Sequence, residues 1–448
     1  MSFADRRFHM LGIGGAGVSA LATVAYAWGA EVTGCDRGES PYAERLRRFG
    51  IEVFAGHDPS HLDAGIEVVV SSAIPADEPE LARARELGLR RLHRAELLAE
   101  MVASRRSICV AGTHGKTTTS AMIAYAAVEL GLDPTYLIGG EVPQLGGNAG
   151  PGGGSLLVAE ADESDGSLTL LRPRVAVVTN IELDHHARFR SLAEVEDLFQ
   201  DWVSEVDRGG AVIAGEGVDL HPSVPVQRVG RLPNADWQVS AIETGADGTG
   251  FWLRTPEGTP HHVTLAVPGS HNALNAACAI AALVAGGGVE PLDAAGALRE
   301  FTGAGRRFEP RGEVSGARIV DDYAHHPTEL AAAIEAARAM SPSRVVVCFQ
   351  PHLYSRTQEM ADGFGRALSR ADEVVVTEIY PAREQPIEGV TAKLVVDRLS
   401  ELRPGMRLAY QPTLEAAAGY LEWRLRPGDL LLTVGAGDVR RVGDLLLA

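Results

Sequence analysis

Val110-Ala111-Gly112-Thr113-His114-Gly115-Lys116-Thr117-Thr118-Thr119 joins an apolar strand, Ser107 to Ala111, to a helical stretch, Ser120 to Leu130. A glycine-bearing loop between strand and helix gathers backbone N–H groups and the positive helix end on one point, which suits an anion. Lys116 adds a full positive charge, and the Thr117 hydroxyl is a hard ligand for Mg²⁺. The long phosphate-loop motif wants glycine six residues before its lysine, where this chain has Val110. The run is therefore a short phosphate loop whose natural ligand is a nucleoside triphosphate. An ordinary strand–turn–helix corner has no need of a lysine followed by three threonines.

Upstream, a strand from Phe8 to Leu11 leads into Gly12-Ile13-Gly14-Gly15-Ala16-Gly17 and a helical stretch, Val18 to Trp28. A second strand, Glu31 to Cys35, ends in Asp36. Glycines permit a tight turn and close approach to a diphosphate, and an acid follows at dinucleotide-fold spacing. The motif does not say which nucleotide binds; a nicotinamide dehydrogenase fused to an ATPase fits it too. A further strand, Glu67 to Val70, ends at Ser71-Ser72-Ala73, and the segment closes near Ser104.

Downstream, a strand from Ser155 to Ala159 ends in Glu160-Ala161-Asp162-Glu163, and one from Val175 to Thr179 runs into Asn180-Ile181-Glu182-Leu183-Asp184-His185. In an open α/β sheet, ligands bind beyond the carboxyl ends of the strands, so Lys116, Glu160 and His185 share one mouth. A triphosphate carries about four negative charges and a helix end supplies about half a positive one, so Lys116 and a divalent ion must share the load. Thr117 and Glu160 are the natural Mg²⁺ holders; His185, a softer base, reads more plainly as a hydrogen-bonding residue. The glycine-rich stretch Gly146 to Gly154 reads as a mobile loop. Asn272 and Asn275 open an alanine-rich helix, where helix capping competes with ligand binding.

A third segment follows Gly305-Arg306-Arg307-Phe308, a basic linker that is either solvated or swings onto the transferring phosphate. Its strands, Ala317 to Val320, Arg344 to Phe349, Glu373 to Thr377 and Leu430 to Val434, alternate with helical stretches such as Thr328 to Met340 and Met360 to Ser369. That is a parallel βαβ pattern. The strand ends again carry the polar residues, among them Asp322-Tyr323-Ala324-His325 and Gln350-Pro351-His352-Leu353-Tyr354-Ser355-Arg356.

At 448 residues the chain exceeds one ordinary core. A net charge of −18 and no basic stripe argue against a nucleic-acid partner. No apolar run reaches the length of a membrane span, and no signal peptide opens the chain. Cys35, Cys109, Cys278 and Cys348 are far apart and read as buried thiols of a cytoplasmic protein.

Taken together, Gly12 to Ser19, Ala111 to Thr119, Glu160 to Asp165, Asn180 to His185, Gly269 to Asn275, Gly305 to Phe308, Asp322 to Pro327 and Phe349 to Thr357 make the chain closely resemble the Mur ligase family over essentially its whole length. The resemblance implies three α/β domains. Residues 1–104 would form a Rossmann-like UDP-sugar binder, 105–307 a central ATPase with a mixed or parallel sheet, and 308–448 a Rossmann-like amino-acid domain. It implies ATP and Mg²⁺, with Gly112, Thr113, His114, Gly115, Lys116, Thr117, Thr118, Asn272, Asn275, Arg307 and Asp322 on ATP. Thr117, Glu160 and His185 would serve the metal, with Lys116, Glu160, His185 and Arg307 catalytic. Gly14, Gly15, Ala16, Gly17, Ser19, Asp36 and Ser71 would hold the UDP-sugar, and Tyr323, His325, His352 and Arg356 the amino acid.

The string Gln350 to Thr357 resembles the alanine-adding branch more than the peptide-adding one. This implies UDP-N-acetylmuramate and L-alanine as partners, an acyl-phosphate route in peptidoglycan precursor synthesis, and a monomer or homodimer. Several sister ligases carry a modified lysine after the metal histidine; Ser191 to Trp202 holds none, and Gln200 stands near its place. A scaffold that binds nucleotide without catalysis remains the reading of a different class.

Overall fold

The computed structural model describes residues 3–185 and 188–448. Three sheets, spanning residues 7–93, 106–265 and 309–434, follow one another along the chain. The first has five parallel strands. Arg7–Leu11 lies at its centre, flanked on one side by Glu31–Asp36 and Glu52–Ala55 and on the other by Glu67–Val70 and Arg91–His93. The strand order reverses beside Arg7–Leu11, so the crevice opens at its carboxyl end, over the glycine loop. The helix Ala16–Ala27 starts inside that loop, with Gly15 as a cap that offers no side-chain hydrogen bond.

The central sheet has ten strands. Arg106–Ala111 pairs in parallel with Leu156–Glu160 on one side and Val175–Val178 on the other. Val-, Ile- and Ala-rich strands covered on both faces read as continuous apolar runs, which is why these were legible. Beyond Val226–Gly230 the sheet continues into Trp237–Gly245, Gly248–Arg254 and Pro260–Leu265, the last three joined antiparallel. The sequence reading did not find this extension. Its signal is a period of two: Trp237 and Val239, then Phe251 and Leu253, then Val263 and Leu265 are buried.

The stretch from Gly146 to Gly154, expected to be a mobile loop, is instead ordered. Ala149–Pro151 pairs antiparallel with Thr135–Leu137, and Gly154 N donates to Asp133 O at 2.8 Å. Glycine serves here because the carbonyls of Leu132 and Asp133 leave no room for a Cβ at Gly154. The phosphate-loop helix begins at Lys116, earlier than the expected Ser120, and runs to Glu129. It packs with the alanine-rich helix Ser270–Ala282 in one core that includes Ile123, Ala277 and Phe251.

The third sheet has six strands in the order Glu309–Val314, Ala317–Asp322, Asp429–Val434, Arg344–Phe349, Glu373–Val376, Arg407–Tyr410. The first is antiparallel and the rest parallel. Cores lie on both faces, one around Phe349 and Phe364 and the other around Leu421 and Leu431.

Candidate active site

The carboxyl ends of the central strands carry most of the site. Gly115 caps the helix at φ +79, and a Cβ there would lie 2.6 Å from Asn275 Oδ1. Gly112 has φ +129, and a Cβ would strike Thr179 Oγ1. Both positions therefore need glycine. The loop is clamped from the neighbouring strand. Asn180 Oδ1 accepts from His114 N at 2.9 Å, and Thr179 Oγ1 donates to His114 O at 2.6 Å. Thr113 Oγ1 accepts from Glu182 N at 2.8 Å. Thr118 is buried in the first helical turn.

Lys116 Nζ donates to Gly112 O at 2.6 Å and to Glu163 Oε1 at 2.9 Å. Burial opposes its charge, but Glu163, Asp162 and Glu160 outweigh burial and raise its pKa. Thr117 Oγ1 donates to Glu160 Oε1 at 3.1 Å, while Glu160 Oε2 accepts from Gly139 N at 2.8 Å. Burial holds the Glu160 carboxyl above its ordinary range against the pull of Lys116. His185 stands at φ +53 with Nε2 3.7 Å from Glu163 Oε1, and Glu163 Oε2 is buried without a hydrogen-bond partner. Three carboxylates thus surround one ammonium, a surplus of hard oxygen donors that fits a divalent cation such as Mg²⁺. Gln200 lies on the helix Leu192–Ser204 and holds the backbone of His221.

The third sheet's tips meet this mouth. Asp184 takes a two-pronged ion pair from Arg356, with Nη2 at 2.8 and 2.9 Å from its two oxygens, and Arg356 Nη1 donates to His352 Nδ1 at 3.1 Å. Arg356 sits in the first turn of Tyr354–Leu368, a helix that begins before the expected Met360. His325 Nδ1 lies 3.0 Å from Tyr323 O, and the His325 ring faces those of Tyr323 and His352 edge to plane. Burial lowers His325 to about 3 and His352 to about 4, so both are neutral near pH 7. A cavity of about 130 Å³ remains between the two sheets, lined by Asp184, His185, Leu353, Ser355, Arg356 and Glu384 among others.

Glu182, Glu163, Asn180 and Glu329 had no assigned role in the sequence reading. Glu329 lies 3.4 Å from His114 and 3.7 Å from Arg307. Burial opposes the charge on His114, but Glu182 and Glu329 outweigh it and push the imidazole up to about 9. The linker arginines divide. Arg306 is bound within the third sheet, with Nε on Asp321 at 2.9 Å and Nη2 on Gly435 O at 2.7 Å, so it is not free to swing. Arg307 stays near the mouth, over the Tyr323 ring. Asp322 accepts from Phe308 N and Ala324 N, and burial raises it to about 6. Asn272 does not cap its helix, where Gly269 is the cap; its Nδ2 donates to Pro268 O at 2.7 Å, and its Oδ1 holds Asn275 Nδ2.

In the first sheet Asp36 Oδ2 accepts from Gly14 N at 2.9 Å, so this acid positions the glycine loop. Gly15 N closes the turn on Gly12 O at 3.1 Å. Gly17 lies beside Arg94, which reaches Asp165 at 3.3 Å. Ala16 O accepts from Asn148 Nδ2 and from Ser19 Oγ, both at 2.9 Å. Ser71 ends its strand beside Gly12. Arg45 and Glu141, paired through two contacts of 3.0 and 2.9 Å, complete the docking of this sheet on the central one.

Family models match in three consecutive stretches. Residues 7–106 match the Mur ligase family catalytic domain, 110–283 the Mur ligase middle domain, and 306–437 the Mur ligase glutamate ligase domain. The UDP-N-acetylmuramate–L-alanine ligase of Kineococcus radiotolerans is 47% identical, over 98% of this chain and 95% of that one. Among solved structures, the UDP-N-acetylmuramate–alanine ligase of Thermotoga maritima superposes with a TM-score of 0.83 at 27% identity, covering 98% of each chain. A murein peptide ligase of Psychrobacter arcticus superposes with a TM-score of 0.70 at 26% identity, over 99% of this chain and 98% of that one.

Proposed function

The chain belongs to the Mur ligase family, and from that membership we propose how its converging loop tips work. It is an ATP-dependent ligase that joins L-alanine to the lactyl carboxylate of UDP-N-acetylmuramate in peptidoglycan precursor synthesis. The observation that carries the choice of amino acid over peptide is the 47% identity, over 98% of this chain, to an L-alanine-adding ligase.

A carboxylate is a poor electrophile, so the γ-phosphoryl group of ATP first passes to it and gives an acyl phosphate. The amine then attacks the carbonyl, and phosphate leaves with the former carboxylate oxygen. Phosphoryl transfer of this kind rests on positioning and charge stabilisation. Residues 105–307 do this work in our reading. The loop from Gly112 to Thr118 cradles the phosphates, Lys116 exchanges Glu163 for phosphate oxygens, and Arg307 approaches from the linker. Asn272 and Asn275 lie on the adenine side and Asp322 at the ribose. Thr117, Glu160 and His185 would hold Mg²⁺, which supplies charge neutralisation for the phosphates.

Residues 1–104 hold the sugar nucleotide through Gly14, Gly15, Ala16, Gly17, Ser19 and Ser71, with Asp36 fixing the loop. Residues 308–448 bring the amino acid. His325 Nε2 offers a lone pair to its amine because Nδ1–H is committed to Tyr323 O. Arg356 lines the cavity, His352 is held to it by the Arg356 Nη1 hydrogen bond, Tyr323 stands beside His325, and docking of the third sheet keeps water from the acyl phosphate.

Phosphate release from ATP and UDP-N-acetylmuramate, with L-alanine, glycine, L-serine or a tripeptide added in turn, tests this reading. L-alanine is expected to drive release and the tripeptide to give none. Faster release with the tripeptide would transfer the chain to the peptide-adding branch.

A further inference from the structure

Behind the glycine loop of the first sheet, five chemically active side chains crowd one buried spot that the ligase reaction does not use. His9 comes from the central strand, Cys35 from the end of the next, His57 and His61 from the loop beyond Glu52–Ala55, and Glu80 from the first turn of Pro79–Glu86. His9, Cys35 and Glu80 are fully buried. Glu80 Oε1 lies 2.9 Å from His61 Nδ1, 3.4 Å from His9 Nε2 and 3.4 Å from Cys35 Sγ. The four ligand atoms lie within 4.8 Å of one another. A tetrahedron of donors about 2.1 Å from a zinc ion has edges of about 3.4 Å. We propose that His9 Nε2, Cys35 Sγ, His61 Nδ1 and Glu80 Oε1 form a binding site for one divalent transition-metal ion of the zinc class.

Two further observations point the same way. His9 Nδ1 lies 2.8 Å from Thr33 Oγ1, a hydrogen bond that holds the ring with Nε2 turned toward Glu80. Nε2 faces Glu80 Oε1 at 3.4 Å. His9 Nε2 is buried and has no hydrogen-bond partner. A buried ring nitrogen with no hydrogen-bond partner beside a carboxylate suits a cation, and a second ring nitrogen held by a hydrogen bond orients a histidine as metal ligands are oriented. Charge agrees as well: one thiolate and one carboxylate neutralise a divalent ion in a site that would otherwise bury unbalanced charge. Binding releases the Cys35 thiol proton to solvent and involves no redox step. His57 Nδ1, 2.9 Å from Cys35 Sγ and 3.0 Å from Glu80 Oε2, closes the open side.

The ion would staple two strands, the turn Pro59–His61 and a helix, next in sequence to Asp36. The site stands apart from Lys116, Thr117, Glu160 and His185, and its test does not depend on ligase activity.

The full-length protein is loaded with Co²⁺, dialysed against metal-free buffer and read by metal analysis and absorption, with circular dichroism as the folding control. About one equivalent should remain, with intense visible bands of a tetrahedral ion and a near-ultraviolet thiolate-to-cobalt band. Among the described residues Cys35 is the only cysteine in such a cluster, so Cys35→Ser must abolish the near-ultraviolet band while His185→Ala leaves it. Thr33→Val, which keeps the side-chain shape and removes the hydroxyl that holds His9 Nδ1, should weaken Co²⁺ retention about 10–100-fold. A folded wild-type protein that retains no ion, a band that survives Cys35→Ser, or retention unmoved by Thr33→Val would overturn the proposal, the cluster then being a proton-linked hydrogen-bond network only.

Discussion

Lys116 is held by Gly112 O and by the buried Glu163 rather than by solvent, so its charge is already in place when phosphate arrives. Replacing it with alanine is expected to lower turnover at least about 10²–10³-fold, the usual loss when one charge-stabilising group goes. Steady-state rates at saturating ATP check this, and a near-normal rate would remove Lys116 from the mechanism. Glu160→Ala should raise the Mg²⁺ concentration needed for half-maximal rate; an unchanged Mg²⁺ dependence would deny it a ligand role. That Lys116, Thr117, Glu160 and His185 share one mouth was legible from sequence because each lies at or soon after the carboxyl end of a parallel strand, while a metal role for His185 came only from the family resemblance. Glu329 was not. In sequence it is an acid in the first turn of a helix, a common stabilising choice there. Its meeting with His114 and Arg307 exists only once two sheets dock.

At the scale of elements, the phosphate loop depends on glycine for two separate reasons at one position. Gly115→Ala meets the left-handed backbone cost of roughly 1–2 kcal/mol and pushes Asn275 away from the loop. A lower thermal midpoint together with weaker ATP binding is expected; a variant with unchanged values of both would show that the loop tolerates another shape. The parallel strands announced themselves as short apolar runs with polar tips. The antiparallel extension, Trp237–Gly245 to Pro260–Leu265, did not, because a half-exposed ribbon alternates residue types and looks like surface loop. Glycine abundance from Gly146 to Gly154 misled for a related reason: the residue that frees a chain also lets backbones approach closely.

Over the whole molecule, two of the contacts between the central and third sheets bring opposite charges together across the boundary. Arg356 and Asp184 are nearly fully buried, and leaving one without the other costs about 3–5 kcal/mol in such settings. Asp184→Asn should therefore loosen the docking, seen as a larger radius of gyration in solution scattering and faster proteolysis near Gly305. Unchanged scattering and proteolysis would mean that docking rests elsewhere. The second contact is the group of His114, Glu182 and Glu329. His114 is raised from 6.5 to about 9, so its contribution is complete below pH 6.5 and disappears as pH rises through about 9. The His114 hydrogen bond lowers Glu182 from 4.5 to about 2, so its contribution is present above pH 4.5 and is lost as pH falls through about 2. Docking should be firmest between about pH 4.5 and 6.5 and loosen toward pH 9; a scattering radius flat from pH 6 to 9.5 would count against the clamp.

The three sheets have one shared purpose in this account, to carry a phosphoryl group onto the sugar's carboxylate before the amine displaces it. Supplying UDP-N-acetylmuramate with ¹⁸O in the lactyl carboxylate, together with ATP and L-alanine, follows the oxygen that must move. One ¹⁸O atom is expected in each released inorganic phosphate. Phosphate that carries only ordinary oxygen, formed at the same rate as the peptide bond, would contradict it.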